Sequence, residues 1–406
     1  MSCCDDEAGL LSLEQALATL VSEAVASKAI EQVAIEDVLG RVLAQDIVSS
    51  INVPPANNSA MDGYALRWQD YAANKALPVS QRIAAGNIGE ALQAGTVARI
   101  FTGGEIPPGA DVVVKQEDTR QAGDKVMILN TPAVGDHIRP AGQDIRAGAM
   151  LVAKGTVLSP RHIGILASVG CAMVPVYQRL HVSLVNTGDE LVMPGEVCGA
   201  GKIYNSNYFT MRGFLLRLGC EISSVTALAD SADAVYDALL QASQETDLVI
   251  TTGGVSVGEE DHVKHVVGQL GQIKLWRLAI KPGKPLAYGD IQGTPFIGLP
   301  GNPVAAAVTF LLLAKPYIRG LQGASYQPPQ ATPVIADFTT KAAKRQVFLR
   351  ANVSLEAGKM YATPLVNQSS GALSSTVFSD GLLVVPAGAS VAKGDVLDFL
   401  PYSVLE

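Results

Sequence analysis

Hydrophobic and polar positions change rhythm in stages along this chain. Near the start, Leu13, Ala16, Leu17, Leu20, Val21 and Ala24 recur on one helical face. Ser12 with Gln15 three residues on reads as a capping box that opens the helix. The stripe is a packing surface, within the chain or between subunits. From 51 to 145 Gly and Pro become frequent, strand-like runs shorten to Val97–Phe101 and Asp111–Val114, and Pro107-Pro108-Gly109 punctuates them. This predicts a β-rich unit. Apolar segments return over 146–180, so 1–50 and 146–180 are expected to form one discontinuous linker or dimerisation domain, interrupted by the β-rich insert.

From 181 to 326 the alternation is regular. Buried-strand candidates are His181–Asn186, Ile222–Leu228, Asp247–Thr251, Trp276–Ile280 and Phe296–Leu299, with helical segments near 206–218, 231–244, 261–270 and after 303. Strand–helix alternation implies a largely parallel α/β sheet with helices on its faces. Beyond 327 the helix signal fades. Val347–Val353 and Leu382–Val385 read as strands and Gly381, Gly388 and Gly394 as turns, which predicts a small C-terminal β domain or barrel. The expected fold class is therefore multidomain: a central α/β domain, a β-rich insert, an elongated helical linker and a C-terminal β-barrel.

At 406 residues, with 48% apolar and 17% charged residues, the chain can bury several cores. A net charge of −8 argues against a nucleic-acid surface. An anionic ligand must be met by a few placed cations. The five cysteines are irregularly spaced and odd in number, which fits reduced thiols in a cytoplasmic protein. The acidic start has no apolar core, so no signal peptide is expected. The most apolar run, Val304 to Ala314, is too short to span a bilayer, and no membrane partner is expected.

In an open α/β sheet ligands gather at the carboxyl ends of the strands. There the chain carries Thr187-Gly188-Asp189-Glu190, then Thr251-Thr252-Gly253-Gly254-Val255-Ser256-Val257-Gly258 followed by Glu259, Glu260 and Asp261. Glycines and hydroxyls suit an anion. Acids beside an anion need a bridging divalent cation, and Mg²⁺ favours that mixture. Next come Arg277, Lys281 and Lys284, stiffened by Pro282 and Pro285, and then Leu299-Pro300-Gly301-Asn302-Pro303, where Asn302 and Pro303 start a helix. That helix start is a second anion site. His262 and His265 lack a third ligand at zinc spacing, and nucleophile-elbow, dinucleotide and Walker patterns are absent.

Asn58 to Leu66, with its Asp62-Gly63 dipeptide, suggests a tight turn that uses glycine's freedom at positive φ. The string NSAMDGYA at 58–65 resembles the signature of the molybdopterin molybdotransferases, the MoeA/gephyrin family. TGDEL at 187–191, IYNSN at 203–207, GGVSVGEED at 253–261, LAIKPGKP at 278–285, LPGNPVA at 299–305, TGG at 102–104 and RPAGQDI at 139–145 are similar to that family's other motifs, in the same order. The resemblance implies insertion of molybdenum from molybdate into adenylylated molybdopterin with Mg²⁺, releasing AMP and molybdenum cofactor.

It also implies roles for particular residues. Thr252, Gly253, Gly254, Ser256, Pro300, Asn302 and Pro303 would hold phosphate. Asp230 and Asp261 would position pterin or metal, Glu190 would be the acid most closely tied to activity, and Glu190 with Asp261 would ligate Mg²⁺. Arg277, Lys281 and Lys284 would neutralise pyrophosphate and molybdate, and Lys281, Arg350 and Ser370 would meet molybdate. Asp62, Thr102 and Asp144 match active-site positions that reach a partner subunit's cleft, which implies a homodimer. Molybdopterin adenylyltransferase and molybdoenzyme maturation proteins are the further partners implied. The chain departs from the pattern at Asn57, where an acid is usual, at Gln143, where Glu is commoner, and at Arg277, often Lys; Arg keeps the charge but changes the hydrogen-bond geometry. The competing readings are a gephyrin-like scaffold and a molybdopterin adenylyltransferase.

Overall fold

The structure is a computed structural model that describes residues 9–26, 29–228, 231–254 and 262–406. The α/β unit centres on a sheet in the order Leu10–Leu11, Gly271–Leu278, Pro285–Ile291, Thr294–Leu299, Leu248–Thr252, His181–Thr187, Glu221–Leu228. The last four strands in this order pair in parallel. Pro285–Ile291 runs antiparallel to both of its neighbours. The sheet is thus mixed, and Pro285–Ile291 is a strand the apolar pattern did not predict. The expected strand at Trp276–Ile280 divides instead: Gly271–Leu278 stays in this sheet, while Ile280–Lys281 crosses to another.

Ser12 opens the first helix, Leu13–Glu23, with the reciprocal bonds of a capping box: Gln15 N donates to Ser12 Oγ and Ser12 N donates to Gln15 Oε1. Its stripe is buried within the chain, with Ala16 and Leu20 in the same core as the sheet and the helix after 303. Leu10 and Leu11 pair with Arg277 and Leu278. Residues 10–23 therefore pack against the α/β unit through both strand pairing and the shared core. What joins 30–48 to 150–177 is strand pairing: Ile30–Ala34 with Met173–Tyr177 and Ile47–Val48 with Met150–Val152.

Pro303–Leu321 is a single helical run, long and apolar enough by composition to cross a membrane, but most of it is buried inside the protein. Phe310–Ala314 is a π turn within it. Pro316 explains that turn, because proline lacks an N–H and its ring crowds the carbonyl four residues back. The C-terminal strands form a closed five-membered ring: Gln346–Glu356, Lys359–Pro364, Thr332–Ala336, Val396–Pro401 and Gly381–Val385, which pairs back to the first. Phe348, Leu382 and Leu400 of this barrel pack into the α/β core. The two units therefore share one hydrophobic interior.

The insert is a six-stranded sheet in which Gly63–Leu66 lies between Val97–Ile100 and Val112–Lys115. Gly63 opens a strand and is not at positive φ, which corrects the turn reading. A Cβ at Gly63 would lie 2.0 Å from Val114 O, so glycine is required by close approach of the neighbouring strand. Gly63→Ala is expected to lower unfolding stability by about 3 kcal/mol, the upper range for overpacking. Denaturant titration of the two proteins checks this.

Candidate active site

Loops from the α/β sheet and the barrel enclose a cleft of about 1070 Å³. Its lining brings together Glu190, Gly253, Gly254, Lys281, Lys284, Pro300, Asn302, Pro303 and Ser370. These are nine of the residues singled out in the sequence, and local backbone chemistry places each one.

Glu190 follows the strand His181–Thr187 through Gly188, which has φ +147 and whose missing Cβ would lie 2.6 Å from Glu190 Oε2. Glycine there allows the Glu190 carboxylate to fold back over its own turn. Leu191 N donates to Gly188 O at 3.0 Å and Ile203 N to Glu190 O at 2.7 Å, which fixes the loop. Beside it, Gly253 and Gly254 leave the strand Leu248–Thr252 at φ +86 and +67, a sequence of angles that L side chains rarely adopt. Gly253 N donates to Leu299 O at 3.0 Å, and a Cβ on Gly301 would make ordinary van der Waals contact with Gly253 Cα at 3.6 Å. Thr252 is buried behind this turn, accepting from Asn186 Nδ2. Asn186 Oδ1 and Thr251 Oγ1 are buried without a partner among the described residues.

Ile280–Lys281 pairs in parallel with Gln346 and Val347 of the barrel. Leu278 N donates to Lys284 O at 2.7 Å across the loop. Gly283, at φ +108, lies so near the long helix that a Cβ would meet Thr309 Oγ1 at 2.5 Å. Both lysines are thus carried on a loop clamped from two sides. Arg277 lies back in the sheet, its Cα paired with Leu10 and Pro285, and does not line the cleft.

Asn302 caps the long helix with extended backbone and no side-chain cap bond. The helix start expected as a second anion site offers fewer first-turn N–H groups than an open helix end would. Pro303 has none, and Val304 N donates to Ser370 O at 2.9 Å. That bond fastens a barrel loop to the helix start. Ser369 and Gln368 flank Ser370 in the lining, with Arg345 opposite as a third cation. Sequence reading missed Arg345, Gln368, Ser369 and Ile203. The basic run Lys341, Lys344, Arg345 was the available signal for the first.

Arg350 is 1% exposed and lies beneath the cleft, not in its lining. Its guanidinium donates to Ser375 Oγ at 3.1 Å, Phe348 O at 3.3 Å and Ser369 O at 3.3 Å. It therefore supports the Ser369–Ser370 loop from inside. Asp230, Ser256 and Asp261 lie outside the described residues. Among those described, no group of three His, Cys, Asp or Glu side chains could hold a metal, and Glu190 is the acid that lines the cleft.

Asp62, Thr102 and Asp144 sit on the insert, away from this lining. Asp62 Oδ1 accepts from both Thr102 N and Thr102 Oγ1 at 2.8 Å. These two bonds, aided by the Arg99 charge, hold the Asp62 carboxyl below its ordinary value. Asp144 is exposed, its N–H donating to Val53 O at 3.0 Å.

Three family descriptions match successive parts of the chain: the MoeA N-terminal region (domain I and II) at 11–170, a probable molybdopterin binding domain at 183–320 and the MoeA C-terminal region (domain IV) at 334–402. A Haemophilus influenzae protein named molybdopterin molybdenumtransferase is 36% identical over 402 residues, covering 98% of this chain and 100% of its own. A Nostoc protein of the same name is 36% identical over 374 residues, 88% of this chain and 86% of its own. A solved structure titled as the molybdopterin biosynthesis MoeA protein from Pyrococcus horikosii superposes with a TM-score of 0.80 at 31% identity, over 97% of this chain and 99% of that one.

The Asp62–Thr102 pair gives a direct test. Thr102→Val removes the hydroxyl bond but leaves the backbone one, so the Asp62 pKa is expected to rise part of the way toward the ordinary carboxylate value. A carboxyl-carbon NMR titration reads it. Because the folded pKa is depressed, the contribution of the ionised pair is complete above the ordinary value and is lost as pH falls through the depressed one.

Proposed function

The chain belongs to the MoeA family of molybdopterin molybdenumtransferases, and from that membership we propose that it inserts molybdenum from molybdate into adenylylated molybdopterin, releasing AMP. The observation that carries this reading is the single cleft in which Glu190, Gly253-Gly254, Lys281, Lys284, Arg345, the Asn302-Pro303 helix start and Ser370 converge. A substrate with a pyrophosphate and a pterin heterocycle needs clustered cations, a close-approach glycine turn and a fixed polar rim. This cleft has each of them.

In this mechanism Lys284 and the Gly253-Gly254 turn bind and orient the pyrophosphate. Lys281 and Arg345 face molybdate together with the Ser369–Ser370 loop, which Arg350 props from below. Cations held on clamped loops reorganise little as charge develops, so they act by electrostatic stabilisation and not by proton transfer. The donor set suits Mg²⁺ in one specific sense: Mg²⁺ is commonly held by one or two carboxylates plus substrate phosphates, and Glu190 offers one carboxylate beside the phosphate turn. Glu190, with Asp261, would hold the ion, which when bound neutralises the pyrophosphate.

We extend the reading to a homodimer with shared sites. What supports it is that Asp62 and Thr102 form a pre-ordered polar pair on the insert while no insert residue lines the cleft of its own chain. A second copy would bring that pair to the cleft. Asp62 then acts as a fixed anionic acceptor, because Thr102 already holds it ionised.

The test is incubation of purified protein with adenylylated molybdopterin, Mg²⁺ and molybdate. AMP release that depends on molybdate is the expected result; ATP consumption with unadenylylated molybdopterin, or no turnover of either kind, sinks the proposal. Glu190→Gln is expected to lose most turnover while keeping the wild-type circular dichroism and sedimentation profile. Lys284→Gln should raise KM for the adenylylated substrate about tenfold, the loss of one charge-assisted contact, with kcat changed less.

A further inference from the structure

A second cavity of about 420 Å³ lies where three units of the chain meet, and it shares no lining residue with the active-site cleft. Gly155–Val157 of the discontinuous domain form one wall. Leu311, Lys315 and Arg319 of the long helix form another, and Val404 and Leu405 beside the barrel close a third. Each wall is fixed by a specific bond. Ser325 N donates to Gly155 O at 3.0 Å, and Gly155 N donates to Leu43 O at 2.8 Å. Lys315 Nζ donates to Leu405 O. Gly155 has φ +82, and a Cβ there would lie 2.6 Å from Ser325 Oγ, so the junction tolerates no larger residue at that point.

The cavity is mostly apolar, from Val157, Leu311, Pro316, Pro329, Val404 and Leu405, yet among the described residues its lining holds two cations and no acid. Lys315 and Arg319 stand four residues apart on one helix face, neighbours by about 5–6 Å. Arg319 Nη1 donates to Leu218 O at 3.4 Å and Gln322 Oε1 at 2.9 Å, while its Nε and Nη2 have no acceptor among the described residues. Lys315 has three donors and one carbonyl partner. Burial, together with the positive charges of Arg319 and Arg217, pulls the Lys315 ammonium down to about 8. Glu406 acts in the opposite sense, but its carboxylate is paired with Arg217 at 3.6 Å. Two half-buried cations with no acid beside them in the described lining are a charge excess that a ligand anion would relieve.

We propose that this junction cavity binds a small organic monoanion with an apolar body, an aromatic or medium-chain carboxylate, its charge held between Lys315 and Arg319. The size lies within the usual range for small-molecule sites, which are mainly apolar with a few convergent polar groups. A phosphate dianion would lose more hydration than this lining returns. A ligand touching all three walls would also stabilise their mutual placement. The proposal is independent of the molybdenum reaction.

Calorimetric titration of the full chain with octanoate tests it, with octanol and octylammonium as controls. Octanoate is expected to saturate one site per chain, octanol to bind about tenfold more weakly for want of the charge-assisted contacts, and octylammonium not to bind. Lys315→Met should cost octanoate about tenfold and leave octanol unchanged. Its melting temperature is expected to change little, because loss of the Lys315–Leu405 bond offsets the relief of a half-buried charge. Location is read on the unmodified protein, from anomalous scattering of bound 4-iodobenzoate in a crystal. Absence of saturable octanoate binding, equal affinity for octylammonium, an unchanged octanoate affinity in Lys315→Met, or iodine found elsewhere would each overturn the assignment.

Discussion

The pairing of Ile280–Lys281 with the barrel strand Gln346–Glu356 is the constraint on which the active-site cleft depends. It is a short ladder, but it is reinforced on both sides: Gln346 N donates to Ala279 O at 2.9 Å, and Arg345 Nη1 donates to Ile280 O at 3.0 Å. Through it the loop carrying Lys281 and Lys284 belongs to two units at once. The Val304–Ser370 bond repeats the arrangement on the opposite side of the cleft. A hydrophobic interior common to sheet, long helix and barrel lies beneath both ties, so loosening one unit from the other would expose Phe348 and Leu382 to water. The cleft is rigid because its two banks share a core.

Turn geometry and close approach act together at the glycines around that cleft, since Gly188, Gly253 and Gly283 all have positive φ. Gly188 makes room for the Glu190 carboxylate, and Gly283 makes room for Thr309. Such positions select glycine for an absent atom, and the polar groups around them can then approach a ligand directly. The same logic operates in the insert, where Gly63 brings Val114 O against its strand and so sets the start of the Asp62 loop.

Much of this was legible in the chain. Periodicity located the helices now seen at Ser206–Arg217, Ala232–Glu245 and His262–Leu270, and the Ser12–Gln15 spacing announced the first helix cap. The motif loops at strand ends marked Glu190, Lys281 and Asn302, and the family resemblance added Ser370; the structure gathers all four in one lining. What escaped has a common cause, since it depends on partners distant in sequence. Pro285–Ile291 is a strand only because both of its neighbours pair with it, although its sequence begins with a proline that suits an edge. Arg350 was expected at molybdate from the resemblance alone; its burial goes with carbonyls at Phe348 and Ser369 that no local pattern reveals. Leu10–Leu11 joined the α/β sheet through Arg277 and Leu278, more than 250 residues away.

The β-rich insert enters and leaves the rest of the chain side by side. Val53 bridges Ile145, and Gly142 N donates to Pro54 O at 2.9 Å, so both crossings share a single narrow neck. Antiparallel bridged residues stand about 5 Å apart. Excising everything beyond that neck would therefore leave two ends that one short peptide could rejoin, and the remaining strands would keep their register. The insert is a cassette: evolution or an engineer can lengthen, exchange or delete it without rewiring the scaffold that carries it.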